Sequence, residues 1–189
     1  KDVAGKAAYQ AMLIALFAAI VIMVVGHLAG WKVAGLLGAN EEVQQILYSY
    51  SKIIFTFIVF TISINVLSGI MHGAGDTKTP LYATLIVNIL HVVVAYPLIY
   101  GKIGLPPMGV KGAAIAIAVS ECLGTAFLLT RSLQRRYIVP SRKLEMRLTT
   151  MTIKLGWPIF IDRLLQNAGS MVFAKVVLLY GTAVYAAHQ

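Results

Sequence analysis

The sequence predicts an all-α protein, a bundle of transmembrane helices that crosses the membrane several times. Hydrophobic residues make up 59% of the 189 residues and charged residues only 12%, and the mean hydropathy is +0.80. A soluble domain is typically about 45–50% apolar and about 25% charged. The apolar residues are also grouped into long segments separated by short polar stretches. Composition and grouping together indicate a polytopic membrane protein.

Five hydrophobic segments are each long enough to span a bilayer. Four of them cover about residues 7–28, 46–71, 80–100 and 109–130, and the fifth runs from Gly156 to about Tyr180. About 20 apolar residues cross a hydrocarbon core about 30 Å thick, and inside lipid every backbone polar group must be satisfied within its segment. The segments are therefore predicted to be helices, since the strands of a membrane barrel are only about 10 residues long and alternate in hydrophobicity.

A polar break of sequence His-Gly-Ala-Gly-Asp-Thr-Lys-Thr-Pro separates the second and third segments at residues 72–80. Its two glycines free the backbone for a tight turn. We expect Thr79 to cap the start of the next helix and Pro80 to occupy its first position. Asp76 is expected to cap the loop rather than to bind a ligand. The break is thus predicted to be a tight connection between two membrane helices.

The basic residues are concentrated after the fourth segment. Seven of the 16 lysines and arginines lie in one window, namely Arg131, Arg135, Arg136, Arg142, Lys143, Arg147 and Lys154. A single basic block between hydrophobic spans is typical of a cytoplasmic loop, whereas a nucleic-acid surface would interleave basic and aromatic side chains. The block argues against nucleic acid as a partner. By the positive-inside rule, the basic block, the polar break and the N-terminal end are predicted to lie on the cytoplasmic side of the membrane.

Part of this block predicts an amphipathic helix over Lys143–Leu155 that lies at the headgroup surface. The apolar stripe of this helix consists of Leu144, Leu148, Met151 and Leu155. The polar stripe consists of Lys143, Arg147, Thr150 and Lys154. We therefore divide the chain into four spans within residues 1–131, a basic linker at 132–155 and a further helix at 156–189. The chain begins without methionine and ends without a polar tail, and we expect it to be a fragment of a longer protein.

Four motifs follow one another along the chain, and together they resemble one transporter family. Residues 73–81 are similar to a Gly-x-Gly-Asp-Thr-basic-Thr-Pro loop between two helices, and Asn88 with residues 98–101 is similar to the end of the second of them. The other two motifs are Met108–Ala116, and Gly156–Ile159 combined with residues 181–183 and 186–189. These are features of the MATE family (multidrug and toxic compound extrusion transporters).

The resemblance implies helices three to seven of a twelve-helix protein with two six-helix lobes. Residues 1–131 then belong to the N-lobe, and residues 156–189 contain the first helix of the C-lobe. It also implies a secondary antiporter in the plasma (inner) membrane that exports cationic or amphiphilic compounds in exchange for H+ or Na+ by alternating access. Such a protein is not an enzyme and needs no bound cofactor. Its partners are its substrates, the bilayer and the remainder of its own chain.

Glu121 is the sharpest candidate for the transport mechanism, because it lies near the middle of the fourth segment, where a charge is costly. Ala114, Ala118 and Thr125 share its helix face, so this face is small and packs closely on a neighbour. Two interpretations are open. Glu121 is either a protonatable or cation-attracting group at a central cavity or a neutral side chain hydrogen-bonded between helices.

His91 and Asn88 are candidates on the third segment, three residues apart on one helix face. A proton pair between Glu121 and His91 is one hypothesis. A lone histidine in such a place is more often a satisfied interior side chain.

The resemblance implies an acidic residue in helix seven, at the position of Asp162 or one turn later, where this chain has Gln166. Asp162 is therefore the candidate acid of the C-lobe and a candidate Na+ ligand. The alternative is that Asp162 offsets the helix dipole and pairs with Arg163. Lys175 either lines the cavity, pairs with an acid outside this chain or extends its long stem towards the interface.

A flippase and a membrane-embedded enzyme are the alternatives to an antiporter. A flippase for lipid-linked precursors has a similar two-lobe architecture and stays open as an alternative. A membrane-embedded enzyme needs a catalytic set within reach, but the four histidines are scattered at positions 27, 72, 91 and 188 and most acids lie in loops. Cys122 is the only cysteine, so neither an intrachain disulfide nor a cysteine metal cluster can form.

Overall fold

The computed structural model describes residues 2–36, 41–102, 104, 106–141 and 145–179. These residues form five helices, α1 (Asp2–Leu36), α2 (Glu41–Gly73), α3 (Lys78–Tyr100), α4 (Val110–Gln134) and α5 (Met146–Leu179). The all-helical fold class predicted from the sequence is confirmed. The chain separates into two compact units, Lys1–Lys143 and Leu144–Gln189, and each is considered by itself.

Four helices in the described part of the chain are long and apolar enough to cross a membrane: Val3–Gly30 within α1, and α2, α3 and α4. They cover the first four predicted spans except for Gly109, which precedes α4, and extend each of them by a few residues. The described part of the fifth predicted span is helical and is not among these four, and Asp162, Arg163, Gln166 and Asn167 fall together within it.

Helix α4 is the central helix of the first unit. In its most apolar window 44% of the residues are buried, against 11% or less in the other three spans. The buried side of α4 is built from small residues, namely Gly112, Ala114, Ala116, Ala118, Ser120 and Gly124. Small side chains let helix backbones approach closely, which is how helices associate in lipid. Helix α4 packs in this way against both α2 and α3.

Two glycines of α4 mark the closest approaches. A Cβ atom added at Gly112 would lie 2.8 Å from the backbone carbonyl carbon and oxygen of Leu98, near the end of α3. A Cβ atom at Gly124 would collide with side-chain atoms of Val87 on α3 and Ile64 on α2. Glycine is therefore required at these contacts by space rather than by backbone conformation.

A buried hydrophobic cluster lies at the end of the bundle where α1 and α3 begin and α2 and α4 end. It consists of Leu67, Met71, Ala83, Leu128 and Ile138. Many large apolar side chains elsewhere on the helices are exposed. Phe17 is 70% exposed and Val92 is 70% exposed, as expected for surfaces that face lipid.

Helix α2 ends in a Schellman motif, in which two backbone N–H groups fold back onto the last turn. The N–H of Asp76 donates to the carbonyl of Met71 (2.9 Å), and the N–H of Gly75 donates to that of His72 (3.0 Å). Gly75 has a φ of +81°, the left-handed conformation that this motif requires. This confirms the predicted tight turn in the polar break.

The start of α3 differs from the sequence prediction. The helix begins at Lys78, so Thr79 and Pro80 lie inside its first turn rather than at the cap and the first position. The capping group is the carboxylate of Asp76, which accepts a hydrogen bond from the Thr79 backbone N–H (3.0 Å) and another from the Thr79 hydroxyl (2.7 Å). Asp76 serves as the cap because it stands three residues before a free N–H of the first turn.

Helix α5 also differs from the prediction of a surface helix over Lys143–Leu155 followed by a separate span from Gly156. One helix, Met146–Leu179, runs through the described parts of both segments from Met146 onward, with Pro158 in its interior. A proline removes one backbone hydrogen bond and bends a long helix without necessarily ending it. Residues 142–144 and 180–189, which include part of the basic block and of the fourth motif, lie outside the described residues.

Candidate functional site

Glu121 lies between two packed helices, α4 and α2. Its Oε2 accepts a short hydrogen bond from the hydroxyl of Thr61, and both side chains are half-buried. This places a carboxyl group within the apolar span of α4, about midway along the helix. Of the two interpretations of Glu121, the interhelical hydrogen bond is present. A hydrogen bond of this kind does not exclude a role in transport, because the same oxygen can exchange its donor.

Other polar groups continue this contact along α2 and α4. The Thr125 hydroxyl donates to the backbone carbonyl of Phe60 (3.1 Å), and the Asn65 side chain donates to the carbonyl of Thr61 (2.7 Å). We call Glu121, Thr61, Thr125 and Asn65 the α2–α4 polar seam. Glu121, Thr61 and Thr125 place oxygen groups between two membrane helices, and Asn65 lies exposed one turn further along α2.

The seam leaves Glu121 with unused capacity to bind a cation or a proton. An ionised carboxylate offers about four acceptor positions, and a protonated one can also donate. Among the described residues, the Thr61 hydroxyl is the hydrogen-bond donor to Glu121. The remaining positions can take a proton, a Na+ ion or a donor on a substrate, and oxygen is the ligand that hard cations prefer.

The structure does not bring His91 and Glu121 into a hydrogen bond within the described part of the chain. His91 is half-buried and Asn88 is exposed on α3, and no hydrogen bond to either side chain occurs among the described residues. The proton pair between Glu121 and His91 therefore has no direct contact in this conformation. Thr61 takes the place next to Glu121 that the hypothesis gave to His91.

Asp162 and Gln166 form a pair one turn apart on α5. The Gln166 amide donates to Asp162 Oδ2 (2.8 Å), and both residues are exposed. Over the described residues, no ion pair joins Asp162 to Arg163, so the proposed pairing with Arg163 is replaced by the pairing with Gln166. Lys175 lies within α5, but its side chain is outside the described part of the structure.

Metal binding by clustered ligands is not indicated where the structure is described. No group of three or more His, Cys, Asp or Glu side chains lies close enough there to hold a metal ion. A Na+ site at Asp162 would need further oxygen ligands beyond the amide of Gln166.

An ion pair lies at the polar break. Asp76 Oδ2 forms an ion pair with Arg135 Nη1 (2.9 Å) and lies 3.4 Å from the Tyr137 hydroxyl. The two hydrogen bonds from Thr79 lower the pKa of Asp76 most, and Arg135 and Tyr137 lower it further. One carboxylate thus joins the end of α2, the start of α3 and the segment after α4. As expected from the sequence, Asp76 is a structural cap.

Replacing Asp76 with alanine is expected to lower the free energy of unfolding by about 1 kcal/mol, the usual loss on removing a helix cap. The pKa of Asp76 is below its ordinary value of 3.8, so the folded state favours the carboxylate. Its stabilisation is complete above pH 3.8 and is lost as the pH falls through the lowered pKa. Thermal unfolding in detergent should show a difference from wild type that shrinks below that pH.

Glu42→Ala is the matched control for this prediction, since Glu42 is an exposed acid in the first turn of α2. It should change stability by less than Asp76→Ala at neutral pH. Equal losses in the two variants would contradict the assigned cap.

Sequence reasoning missed the partners of both acids. Thr61 lies 60 residues before Glu121, and Arg135 lies 59 residues after Asp76. The only signal in the sequence was that a hydroxyl on one apolar helix can satisfy a carboxyl on another. The pairing itself follows from how α2 and α4 pack.

Long apolar helices that pack through small residues, with a half-buried carboxyl group between two of them, define a multi-pass membrane protein. A family model described as MatE matches residues 1–97 of this chain, about half its length. The chain belongs to the MatE family, which confirms the resemblance seen in its motifs. The family consists of transporters rather than enzymes.

Curated relatives extend the similarity over nearly the whole chain. A probable multidrug resistance protein NorM from Thermotoga maritima is 27% identical over 96% of this chain, and a probable multidrug resistance protein YoeA from Bacillus subtilis is 25% identical over 89%. The matches cover 40% and 38% of those proteins. The chain therefore spans about two fifths of the length of these relatives.

Solved structures share the fold. A mutant of the MATE transporter VcmN from Vibrio cholerae superposes with a TM-score of 0.85 at 22% identity, covering 97% of this chain and 41% of that one. A MOP superfamily transporter from Pyrococcus furiosus superposes with a TM-score of 0.86 at 20% identity, covering 98% and 42%. Five helices in this order thus correspond to part of a larger transporter fold.

Proposed function

We propose that this chain is part of a secondary antiporter that exports cationic or amphiphilic compounds in exchange for H+ or Na+. The observation that carries the proposal is Glu121, an ionisable side chain within an apolar span whose carboxyl group has one hydrogen-bond donor among the described residues. Membership of the MatE family and the relatives named as multidrug resistance proteins support the same conclusion.

In this proposal Glu121 binds the coupling ion and the rest of the α2–α4 polar seam positions it. Asp162 and Gln166 supply polar groups in the following lobe, where Na+ is one candidate ligand. His91, Asn88 and Lys175 are additional candidates for contact with substrate or ion. Residues 1–131 would form part of the N-lobe and residues 132–155 the cytoplasmic linker.

The substrate class follows from charge and polarity. A carboxyl group in a low-dielectric site attracts cations more strongly than the same group in water, and apolar surroundings accommodate the hydrophobic part of an amphiphile. Coupling to H+ or Na+ is the corollary, since binding and release of one cation at an acid can alternate with binding of another.

The test measures efflux of a cationic dye from cells that carry the full-length protein in their plasma (inner) membrane. The dye should leave faster than from cells without the transporter when either a Na+ gradient or a pH gradient is imposed alone. Which gradient works identifies the coupling ion. If neither gradient changes the efflux rate, the antiporter assignment is wrong, and movement of a labelled lipid-linked precursor would then favour the flippase.

A further inference from the structure

A cleft of about 620 Å³ opens at the end of the bundle where α1 begins and α2 and α4 end. Its apolar lining includes Ala4, Ala7 and Ala8 of α1 and Ile70 of α2, and its charged lining consists of Arg135 and Arg136. Ligand pockets are typically about 300–1,000 Å³, mostly apolar with a few well-placed polar groups. This cleft has that size and that combination of surfaces.

The backbone holds the lining in place. Helix α4 ends in a Schellman motif like that of α2, with the Tyr137 N–H donating to the Ser132 carbonyl (2.9 Å) and the Arg136 N–H donating to the Leu133 carbonyl (3.1 Å). The chain then turns back to α1, where the Val139 N–H donates to the carbonyl of Gly5 (3.1 Å).

Arg136 occupies an unfavourable position in this motif. Its φ is +54°, and it is the only residue other than glycine with a positive φ in the described part of the chain. The equivalent residue at the end of α2 is Gly75, the residue type that adopts this conformation without steric cost. A strained arginine at a site that suits glycine points to a use for its side chain.

The two arginines of the cleft differ in what they can bind. Arg135 is engaged by Asp76. Arg136 is exposed, and within the described residues its guanidinium has neither an ion pair nor a hydrogen bond. A free guanidinium beside an apolar floor suits a ligand with an anionic oxygen group and a hydrophobic body, because guanidinium binds phosphate in a fixed fork geometry.

We propose that this cleft binds the phosphate headgroup of an anionic phospholipid, with Arg136 as its charged contact. The glycerol and the upper acyl chain lie against the alanines of α1 and Ile70. The cleft stands at the basic end of four membrane-spanning helices, where clustered lysines and arginines attract anionic lipid. Binding of this lipid does not depend on the transport activity proposed above.

The test uses full-length protein in detergent, with lipid bound from mixed micelles and measured by native mass spectrometry and thermal unfolding. Phosphatidylglycerol should bind and raise the melting temperature, whereas phosphatidylcholine and inorganic phosphate should do neither at the same concentration. Arg136→Gln should weaken phosphatidylglycerol binding about fivefold, the effect of one basic residue near an anionic surface. Arg136→Lys should retain most of the binding.

Arg136→Gly separates the charge from the fold. It relieves the backbone strain, so the lipid-free melting temperature should rise while the lipid-dependent increase shrinks as it does in Arg136→Gln. Arg131→Gln is the matched control, because Arg131 lies in the last turn of α4 at the same end, over the ring of Phe127, and is not among the residues that line the cleft. It should leave phosphatidylglycerol binding nearly unchanged.

Four results would overturn the proposal. They are an equal loss of binding in Arg131→Gln, unchanged binding in Arg136→Gln, protection by inorganic phosphate equal to that by phosphatidylglycerol, and a lower lipid-free melting temperature in Arg136→Gln. The first indicates general surface attraction, the second a different lipid site, the third a free-anion site and the fourth an internal partner for Arg136.

Discussion

Substitution of Gly112 by alanine is expected to lower the free energy of unfolding by about 1–3 kcal/mol, the usual cost of overpacking a tight contact. The added methyl group would lie 2.8 Å from the carbonyl carbon and oxygen of Leu98. These are backbone atoms of α3, so no side-chain rotation can remove the clash. Helices α3 and α4 would have to separate, and thermal unfolding of the purified protein in detergent should show the loss.

Gly69 provides the matched control, since it is also inside a helix of the first unit and has no atom within 4 Å of an added Cβ. Gly69→Ala should leave stability unchanged or raise it slightly, because alanine forms helices better than glycine. Gly124→Ala should fall between the two, because the atoms it meets belong to side chains that can shift. Equal stability of the Gly112 and Gly69 variants would contradict the close packing of α3 on α4.

The four apolar spans were predictable because lipid leaves helix as the only structure for a single segment of that length. Their ends were not. Helix α2 begins at Glu41, five residues before the predicted start, because two acids in a first turn interact favourably with the helix dipole. Hydropathy detects the part of a helix that crosses lipid, and helices continue past it where polar residues support them.

Local capping was only partly predictable from the polar break. Residues 72–80 contain several groups that can cap a helix, and the sequence favoured Thr79 where the structure uses Asp76. Which side chain caps the helix depends on which residue begins it. The predicted start at Pro80 makes Thr79 the cap, whereas the observed start at Lys78 gives that role to Asp76. Arg136 shows a stronger form of the same limit, since nothing in the sequence marks an arginine for a left-handed conformation.

The candidate site was predictable as a residue but not as a site. A glutamate in a span of small and apolar residues stands out by composition, and this identified Glu121. Its position opposite Thr61 depends on how α2 and α4 are rotated about their axes. That rotation is set when the small-residue faces of the helices pack together, so the sequence alone does not give it. The hypothesis that pairs Glu121 with His91 stays a prediction, since the described partner of Glu121 is Thr61 on α2.

Full-length protein carrying Glu121→Gln is expected to lose ion-coupled dye export by about 5–150-fold, the range of a typical coupling free energy between two binding sites. The amide still accepts the hydrogen bond of Thr61, so the α2–α4 polar seam and the fold should persist, but it can neither carry the proton nor neutralise a cation. Dye efflux under the gradient that drives wild type measures the loss, and the unchanged melting temperature shows that folding is intact.

Thr61→Val is the matched control: it removes the donor and keeps the carboxyl group, so export should persist at a reduced rate. Wild-type export by Glu121→Gln would mean that Glu121 only joins two helices.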